Sequence, residues 1–417
     1  MTPPSPAIDV AIIGAGVVGI ATACHLAEEG RRVLLIDREE PARGASFGNA
    51  GGLAFSDVMP LASPGIMRKA PGWLLDPLGP LAIPPAYLPR IAPWLWRFWR
   101  ASRPDRVRAS MVAQAAMMRL AREAMGALVS RAGLGDMLRS DGVLELHESE
   151  AEWRASLPGW ETRAREGIAF EHLRGEAIAA LQPGLSPRFG FATFVPGWQN
   201  VADPYRFALG LLDHAQRRGA ILRRGRVLAV EAVGDGARIA IEGGDAIAAR
   251  QAVIAGGAWS RPLARALGDD VPLETERGYN TTLPPGAFDL RRQLTFPGHG
   301  FVISPIGGGV RVGGAVELGG LTRPPNFRRA EAMLGKAARF LPGLRTAGGT
   351  QWMGFRPSLP DSLPVIGPSR ASARIIHAFG HGHLGLTQSA ATGRLVADLV
   401  AGRVPSIDIA PFSAQRF

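Results

Sequence analysis

The sequence predicts an α/β protein in which a discontinuous, Rossmann-like nucleotide-binding domain is combined with an α+β domain built on a mixed or antiparallel sheet. Residues 8–37 have the order strand, glycine turn, helix and strand, which is the unit that binds a dinucleotide. Apolar strands followed by glycine turns recur in the middle and at the end of the 417-residue chain. Because a single core rarely grows beyond about 300 residues, two domains are expected.

The first glycine turn is Gly14-x-Gly16-x-x-Gly19, directly after an apolar strand. Gly14 permits a tight turn, Gly16 lets the backbone approach a pyrophosphate, and Gly19 lets the helix pack closely on the strand. The helix begins with Val17 and Val18, and its free N–H groups and positive dipole end face the phosphates. The turn therefore predicts a bound FAD or NAD.

An acid closes this unit, since Asp37 ends the second strand and Arg38 follows it. A carboxylate at this position accepts hydrogen bonds from ribose hydroxyls. A second short apolar strand ends at Gly256 and is followed by Trp259. Nucleotide-binding signals at the start, middle and end of the chain favour FAD over NAD, because an NAD dehydrogenase keeps its dinucleotide unit contiguous.

The two domains are expected to interleave along the chain. The FAD-binding domain is assigned to residues 1–57, 196–272 and 350–417, and the substrate-binding domain to residues 58–195 and 273–349. Helices are expected at about 104–131, 148–166, 205–218 and 328–341, with a closing helix to 401. Strands are expected at 142–146, 220–230, 273–283 and 300–318.

Composition and charge exclude several classes of protein. The net charge of +11 is almost entirely arginine, spread over the whole length, with Lys69 and Lys336 as the lysines. Nucleic-acid-binding surfaces are clustered and interleaved with aromatic residues, so no nucleic-acid partner is expected. No run approaches the ~18 apolar residues of a membrane span, and residues 1–6 do not resemble a signal peptide. Cys24, the only cysteine, is expected to pack in the core, a cytoplasmic location is expected, and no metal site is predicted.

Five motifs occur in order along essentially the whole chain. They are Gly14-Ala-Gly-Val-Val-Gly19 with Asp37-Arg38, Ala45-Ser-Phe-Gly-Asn-Ala-Gly51, Arg277-Gly-Tyr279, Arg311-Val-Gly-Gly-Ala-Val-Glu317, and Arg356-Pro-Ser-Leu-Pro-Asp-Ser-Leu-Pro-Val-Ile-Gly367 with Gly380-His-Gly-His-Leu-Gly385. Together they resemble the D-amino-acid oxidase/dehydrogenase superfamily of flavoproteins, and within it the bacterial D-amino-acid dehydrogenases.

The resemblance implies an FAD and its contacts, and the binding is expected to be non-covalent because no cysteine is suitably placed. The flavin and its ribityl chain would be lined by Ser46, Asn49, Ala50, Gly51 and Gly52. Val227 would meet the adenine side through its backbone. The pyrimidine end of the isoalloxazine would meet Gly380, His381, Gly382, Leu384, Gly385 and Thr387. A helix N-terminus aimed there stabilises an anionic reduced flavin.

The substrate must be held by its carboxylate so that its Cα–H lies under the flavin, and a bidentate guanidinium is the natural clamp. Arg356 is the leading candidate, Arg311 is the second, and Tyr279 would add a phenol hydrogen bond. A protein base is not compulsory, because a neutral amine loses hydride directly and the imine hydrolyses in water. His383 departs from the dehydrogenase pattern, where a small hydroxyl residue is expected. It either alters substrate choice or flavin potential, or it points to solvent.

The predicted function is oxidative deamination of D-amino acids, with electrons passed to quinone or another carrier. The few charges in residues 60–100 also favour a small apolar or cyclic substrate, such as a hydroxy-D-proline. A glycine- or sarcosine-type oxidase is the first alternative, although sarcosine-type oxidases carry a lysine near the flavin and a cysteine that attaches it. A non-catalytic or tRNA-modifying flavin-binding relative is the second.

A cluster of tryptophan and arginine occupies residues 87–108. Trp94, Trp96 and Trp99 alternate there with arginines. Amphipathic rings beside cations suit a lipid headgroup boundary, which would make the protein peripheral on the inner membrane. The competing interpretation is a helix whose tryptophans pack against the body while its arginines are solvated.

Overall fold

Two large β-sheets with flanking helices form the part of the chain that the computed structural model describes, residues 8–65 and 78–417. The strands are β1 (Ile8–Ile13), β2 (Val33–Asp37), β3 (Gly52–Leu53), β4 (Leu81–Ala82), β5 (Leu138–Arg139), β6 (Val143–His147), β7 (Glu171–Arg174), β8 (Phe191–Val195), β9 (Gln199–Val201), β10 (Ile221–Arg224), β11 (Val227–Val233), β12 (Gly236–Ile241), β13 (Ile247–Ile254), β14 (Glu274–Leu283), β15 (Gln293–Phe296), β16 (Phe301–Ile306), β17 (Gly309–Leu318), β18 (Thr350–Ser358), β19 (Val365–Pro368) and β20 (Ile375–Phe379). The α-helices are α1 (Val17–Glu28), α2 (Leu88–Ala101), α3 (Pro104–Ala132), α4 (Glu150–Arg165), α5 (Glu176–Leu181), α6 (Pro204–Arg217), α7 (Arg261–Ala266), α8 (Arg328–Phe340) and α9 (Gly385–Val400).

The first sheet has the strand order β10-β2-β1-β13-β12-β11, and β20 pairs with the end of β13. β1 lies parallel between β2 and β13, because α1 carries the chain from the end of β1 back to the start of β2. Alternate residues of β1 enter two apolar clusters, one with α1, α3, α6 and α9 and the other with α7. Burial on both faces explains why β1 is a continuous apolar run.

The second sheet has the order β18-β14-β17-β16-β15-β6-β8-β7, with β4 beside β17. Most neighbours are antiparallel, but β15 is parallel to β6 and β4 is parallel to β17, so the sheet is mixed. α8 covers one face, where Ala330, Met333 and Ala337 pack against the strands. A further small sheet joins β3, β9 and β5. The predicted fold class, an α/β nucleotide-binding domain with an α+β domain, is confirmed.

Two predicted strands are wrong in extent. The run 220–230 is two strands, because the chain turns at Gly225 and Arg226 so that β10 pairs with β2 and β11 pairs with β12. The run 300–318 is the hairpin of β16 and β17, which turns at Gly307 and Gly308. Both glycines have positive φ, 59° and 78°, which favours glycine in a tight turn. The predicted helices at 104–131, 205–218 and 328–341 agree with α3, α6 and α8 to within two residues.

The chain passes from the second sheet to the first after Ser358. β18 pairs with β14, whereas β19 and β20 belong to the first sheet, and α9 packs on α1. The segment 350–417, assigned from the sequence to the FAD-binding domain, therefore contributes its first nine residues, Thr350–Ser358, to the second sheet.

A buried ion pair joins β14 to β17 on the face covered by α8. Arg277 Nη1 lies 3.2 Å from Glu317 Oε2, and the two side chains are 0% and 5% exposed. Arg277 Nη2 also donates to the carbonyl of Arg323 at 2.9 Å, and the Tyr279 hydroxyl donates to the same Glu317 oxygen. Removing one partner of such a pair leaves an uncompensated charge in the core.

The variant Glu317→Ala is expected to lower the free energy of unfolding by about 3–5 kcal/mol, because Arg277 would stay buried without its counter-charge. Urea unfolding followed by tryptophan fluorescence measures this loss. The matched control is Glu231→Ala, which removes an exposed pair with Arg238 at 3.6 Å and is expected to cost at most about 1 kcal/mol. Equal losses in the two variants would contradict the role given to the buried pair.

Candidate functional site

A cavity of about 980 Å³ lies between the two sheets, and residues of both sheets line it. Its size is at the upper end of the roughly 300–1,000 Å³ found for ligand sites. The predicted site residues that line it are Gly14, Gly16, Val17, Val18, Asp37, Arg38, Ser46, Asn49, Ala50, Gly51, Gly52, Val227, Gly256, Trp259, Tyr279, Arg311, Arg356, His381, Gly382, His383, Leu384 and Gly385. Gly19, Gly380 and Thr387 are outside its lining.

The glycine turn after β1 is shaped by close backbone contacts. Gly14 has φ of 114°, and a Cβ there would lie 2.4 Å from the carbonyl oxygen of Ala255. A Cβ on Gly19 would lie 1.9 Å from the carbonyl oxygen of Gly14, so only glycine lets α1 approach β1 this closely. Gly16 differs, because its nearest protein atom to a Cβ would be Ser46 Oγ at 3.5 Å. The absent side chain of Gly16 therefore leaves space at the cavity, as a bound pyrophosphate requires.

Two side chains fix the N-terminus of α1. Asp37 Oδ2 accepts a hydrogen bond from the N–H of Ala15 at 2.7 Å, and Ser46 Oγ accepts one from the N–H of Val17 at 2.9 Å. Asp37 Oδ1 also accepts from the N–H of Glu39 at 2.9 Å. An ionised carboxylate has about four acceptor sites, so Asp37 retains capacity for a ribose hydroxyl.

Arg38 and Trp259 meet at the end of the cavity near Val227. The guanidinium carbon of Arg38 lies 3.9 Å from the centre of a Trp259 ring. Phe355 packs edge-on against Trp259, with the two ring centres 5.4 Å apart. A flat cationic and aromatic surface of this kind suits an adenosine. Phe355 was not among the residues predicted for the site.

The loop of residues 44–52 is tied to the second sheet by polar side chains. Arg311 Nη1 donates to the carbonyl of Asn49 at 2.6 Å, and Arg311 Nε donates to Thr282 Oγ1 at 2.8 Å. Asn280 Nδ2 donates to the carbonyl of Gly48 at 2.7 Å. Burial lowers the pKa of Arg311 to about 10. The structure thus uses Arg311, the second candidate clamp, to hold the loop.

The tail from Gly380 leads into the N-terminus of α9, which faces the cavity. Thr387 Oγ1 accepts from the N–H of Ala54 at 3.0 Å, which fixes the tail to β3. His381 Nε2 lies 2.9 Å from Thr392 Oγ1, and burial lowers the pKa of His381 to about 3, so this imidazole is neutral. The first N–H groups of α9 have no partner within the helix, which makes this end suitable for an anionic flavin.

Arg356 lies on β18 directly opposite Glu276 of β14. A Cβ on Gly278 would lie 2.3 Å from the guanidinium of Arg356, so the side chain passes across the bare backbone of that glycine. Arg356 Nη1 donates to the carbonyl of Ala315 at 2.9 Å. Burial lowers the pKa of Arg356, and the charge of Glu276 offsets part of this effect. The guanidinium lines the cavity, where a carboxylate would be its counter-ion.

Tyr279 does not reach Arg356. Side chains alternate along a strand, and Tyr279 belongs to the face of β14 that packs on α8. Its hydroxyl donates to Glu317 and accepts from the N–H of Asn326 at 3.2 Å. The structure therefore does not bring this phenol to the position expected for a substrate contact.

His383 does not point freely to solvent, because its Nε2 lies 2.5 Å from Glu276 Oε2. Glu276 was not identified from the sequence, and neither were Asp57 and Glu145, two carboxylates of the cavity lining. Burial and the charge of Glu145 raise the pKa of Asp57, and the charge of Arg163 opposes this rise.

Residues 66–77, part of the segment interpreted as poor in charge, lie outside the described residues.

Cys24 is fully buried in the cluster that joins α1 to α6. Its Sγ lies 3.1 Å from the carbonyl oxygen of Leu211, and burial raises the pKa of the thiol to about 12. Such a thiol is inert, which fits the packing role expected for it.

Comparisons with known proteins agree with these features. Residues 9–399 match the model of the FAD dependent oxidoreductase family. A D-amino-acid oxidase of Bradyrhizobium diazoefficiens is 39% identical over 98% of both chains, and a D-amino acid dehydrogenase of the same organism is 30% identical over 98% of both.

Solved structures show the same fold. The glycine oxidase of Geobacillus kaustophilus has a TM-score of 0.76 with 25% identity, covering 98% of this chain and 99% of that one. The L-proline dehydrogenase of P. horikoshii has a TM-score of 0.74 with 18% identity, covering 99% and 98%. With a family match over almost its whole length and a cavity whose glycine turn fits a dinucleotide, the chain belongs to the FAD-dependent oxidoreductase family.

Proposed function

We propose that the chain catalyses oxidative deamination of D-amino acids with a non-covalently held FAD. The observation that carries this proposal is Arg356, a partly buried guanidinium that faces the cavity from the second sheet. A cation enclosed in this way binds an anionic group, and the carboxylate is the group that all amino acids share. The D configuration is proposed from the relatives named D-amino-acid oxidase and D-amino acid dehydrogenase.

The role of Arg356 is to orient the substrate. Among the described residues its guanidinium forms one hydrogen bond, to Ala315, so the remaining N–H groups are available for a carboxylate. Holding the carboxylate at two points fixes the direction of the Cα–H bond. FAD, when bound, accepts the hydride that leaves Cα. The imino acid that is formed hydrolyses in water to a 2-oxo acid and ammonium.

The electron acceptor proposed is a quinone or another carrier, as in a dehydrogenase. Sarcosine-type oxidases carry a lysine near the flavin. Lys336, a lysine of the described part of the chain, is on α8, which covers the sheet face away from the cavity. Oxygen is the second candidate, since the relative with 39% identity is named an oxidase. The thiol of Cys24 is buried between α1 and α6, which supports the non-covalent attachment.

A substrate panel tests this proposal. D-Alanine, D-proline, cis-4-hydroxy-D-proline, D-arginine, glycine and sarcosine are supplied with an artificial dye acceptor, and peroxide is measured in parallel without the dye. Dye reduction by D-amino acids, with the cyclic ones strong and with no peroxide, is expected. Peroxide at the rate of turnover would identify an oxidase, and activity confined to L-amino acids or N-methylglycines would overturn the proposed function.

The variant Arg356→Ala is expected to raise KM for a D-amino acid by about 10²-fold or more. Loss of the partner of a buried carboxylate costs on the order of 2–5 kcal/mol. Steady-state kinetics measure the change, and Arg339→Ala on the exposed side of α8 is the control, with KM unchanged. An unchanged KM in Arg356→Ala would move the clamp to another residue.

We further propose that α2 contacts the cytoplasmic leaflet of the membrane. Trp94 is buried, but Trp96 and Trp99 are 53% and 46% exposed. Arg100 and Arg103 lie over these two rings at 4.7 and 5.5 Å. Exposed tryptophans paired with arginines suit a boundary of anionic headgroups. In the described part of the chain, no helix combines the length and hydropathy that crossing a membrane requires.

Flotation tests the membrane proposal. At low salt the protein is expected to float with anionic liposomes, and high salt is expected to release it because salt screens the arginines. The triple variant Arg97→Glu, Arg100→Glu and Arg103→Glu is expected to stay at the bottom of the gradient while it keeps its dye-linked activity. A wild-type protein that fails to float at low salt would contradict the contact.

A further inference from the structure

His383, Glu276 and Ser358 form a hydrogen-bonded chain at the wall of the cavity. His383 Nε2 lies 2.5 Å from Glu276 Oε2, and Ser358 Oγ donates to Glu276 Oε1 at 2.5 Å. The glutamate is enclosed, with a side chain 7% exposed, whereas His383 is 36% exposed and lines the cavity. Gly382 N–H donates to the carbonyl of Pro357 at 2.7 Å, which fixes the tail beside β18.

The hydrogen bond to Glu276 determines which nitrogen of His383 carries the hydrogen. Burial alone would raise the pKa of Glu276, but the charge of His383 when it is protonated, the hydrogen bonds from His383 and Ser358, and the charge of Arg356 hold it at about 2. An ionised carboxylate only accepts hydrogen bonds, so Nε2 is the donor and the neutral ring has its lone pair on Nδ1. Among the described residues, Nδ1 has no hydrogen-bond partner.

The charged groups around His383 come from three elements. Glu276 lies on β14, Arg356 lies opposite it on β18, and Asp57 lies in the loop after β3, where Arg163 Nη2 is 4.0 Å from its Oδ1. His381, two residues away, is neutral. Arg356 and His383 are therefore both neighbours of Glu276, and both line the cavity.

We propose that Nδ1 of His383 accepts the proton of the substrate ammonium group and so makes the neutral amine from which hydride leaves. This role rests on the function proposed above. An amino acid binds as a zwitterion, and one carbon separates its carboxylate from its amine. With the carboxylate paired with Arg356, the ammonium group is the remaining charge of the substrate. After the transfer, Arg356 pairs with the carboxylate and Glu276 pairs with the imidazolium.

The step balances in atoms and electrons. One N–H bond of the ammonium breaks, the proton forms a bond to Nδ1, and the electron pair stays on the substrate nitrogen. That pair would become the second bond of the C=N group when Cα loses hydride, and FAD is the oxidant that the proposed function names for that hydride. His383 is regenerated by releasing the proton to water.

Anaerobic flavin bleaching tests the role of His383. The purified holoenzyme is mixed with D-proline, or with the panel member that bleaches fastest, and the rate constant is followed across pH. In His383→Gln, the flavin is expected to be reduced at pH 7 about 10²–10⁴-fold more slowly than in the wild type, because a positioned base usually contributes a factor of this size. Its rate is expected to recover towards alkaline pH, where solution supplies the neutral amine.

A control variant and a second variant of His383 accompany this experiment. His299→Gln removes a similar imidazole, 2.8 Å from Glu148 and absent from the cavity lining, and is expected to match the wild type. His383→Thr replaces His383→Gln if the latter fails to retain FAD. A variant of His383 with wild-type rate and pH profile would overturn the proton transfer while the proposed function stands. A wild-type flavin that no panel member bleaches would overturn the proposed function itself.

Discussion

The antiparallel register of β14 with β18 determines which side chains reach the cavity. It sets Glu276 opposite Arg356 and Asn280 opposite Trp352, and these residues share one face of the sheet. The alternate residues Arg277 and Tyr279 face α8. A slip of one residue would exchange the two faces and turn Arg277 and Tyr279 away from α8. The positions of Arg356, of the loop contacts made by Asn280, and of the hydrogen bond between His383 and Glu276 all depend on this register.

A bulge in β17 provides a hydrogen-bond acceptor for Arg356. Arg277 pairs with Glu317 and Tyr279 pairs with Gly314, so two steps along β14 match three along β17. Ala315 within the bulge has φ of 56°, a left-handed conformation uncommon for alanine. Its carbonyl accepts from Arg356. Bulges redirect groups beside functional sites, and this one supplies the acceptor that fixes the guanidinium over Gly278.

Local sequence signals predicted the features that local physics determines. The glycine turn after β1 and the acid at Asp37 lie within one 30-residue unit, and the structure places them together as that unit requires. Period-two alternation on β14 also separates Tyr279 from Glu276 and Gly278, so the phenol could have been placed on the far face from the sequence.

The remaining features depend on contacts between distant residues. Arg311 binds the backbone of Asn49, 262 residues away, and His383 binds Glu276, 107 residues away. Residue type alone does not separate an arginine that anchors a loop from one that is free to bind a ligand, because both Arg311 and Arg356 line the cavity. The distinction lies in the partners, since Arg311 donates to Thr282 and Asn49 while Arg356 meets one carbonyl.

Two arginine–glutamate pairs on opposite faces of the second sheet show the same distinction in energetic terms. Arg277 and Glu317 compensate each other in a dry core, where the pair fixes strand register and adds no chemistry. Arg356 and Glu276 face each other across β14 and β18, but the glutamate is occupied by His383 and Ser358. The guanidinium is thereby left with part of its charge directed into the cavity. A partly buried cation in this state gains from an anionic ligand, because part of the desolvation that ordinarily opposes ion pairing has already occurred on folding.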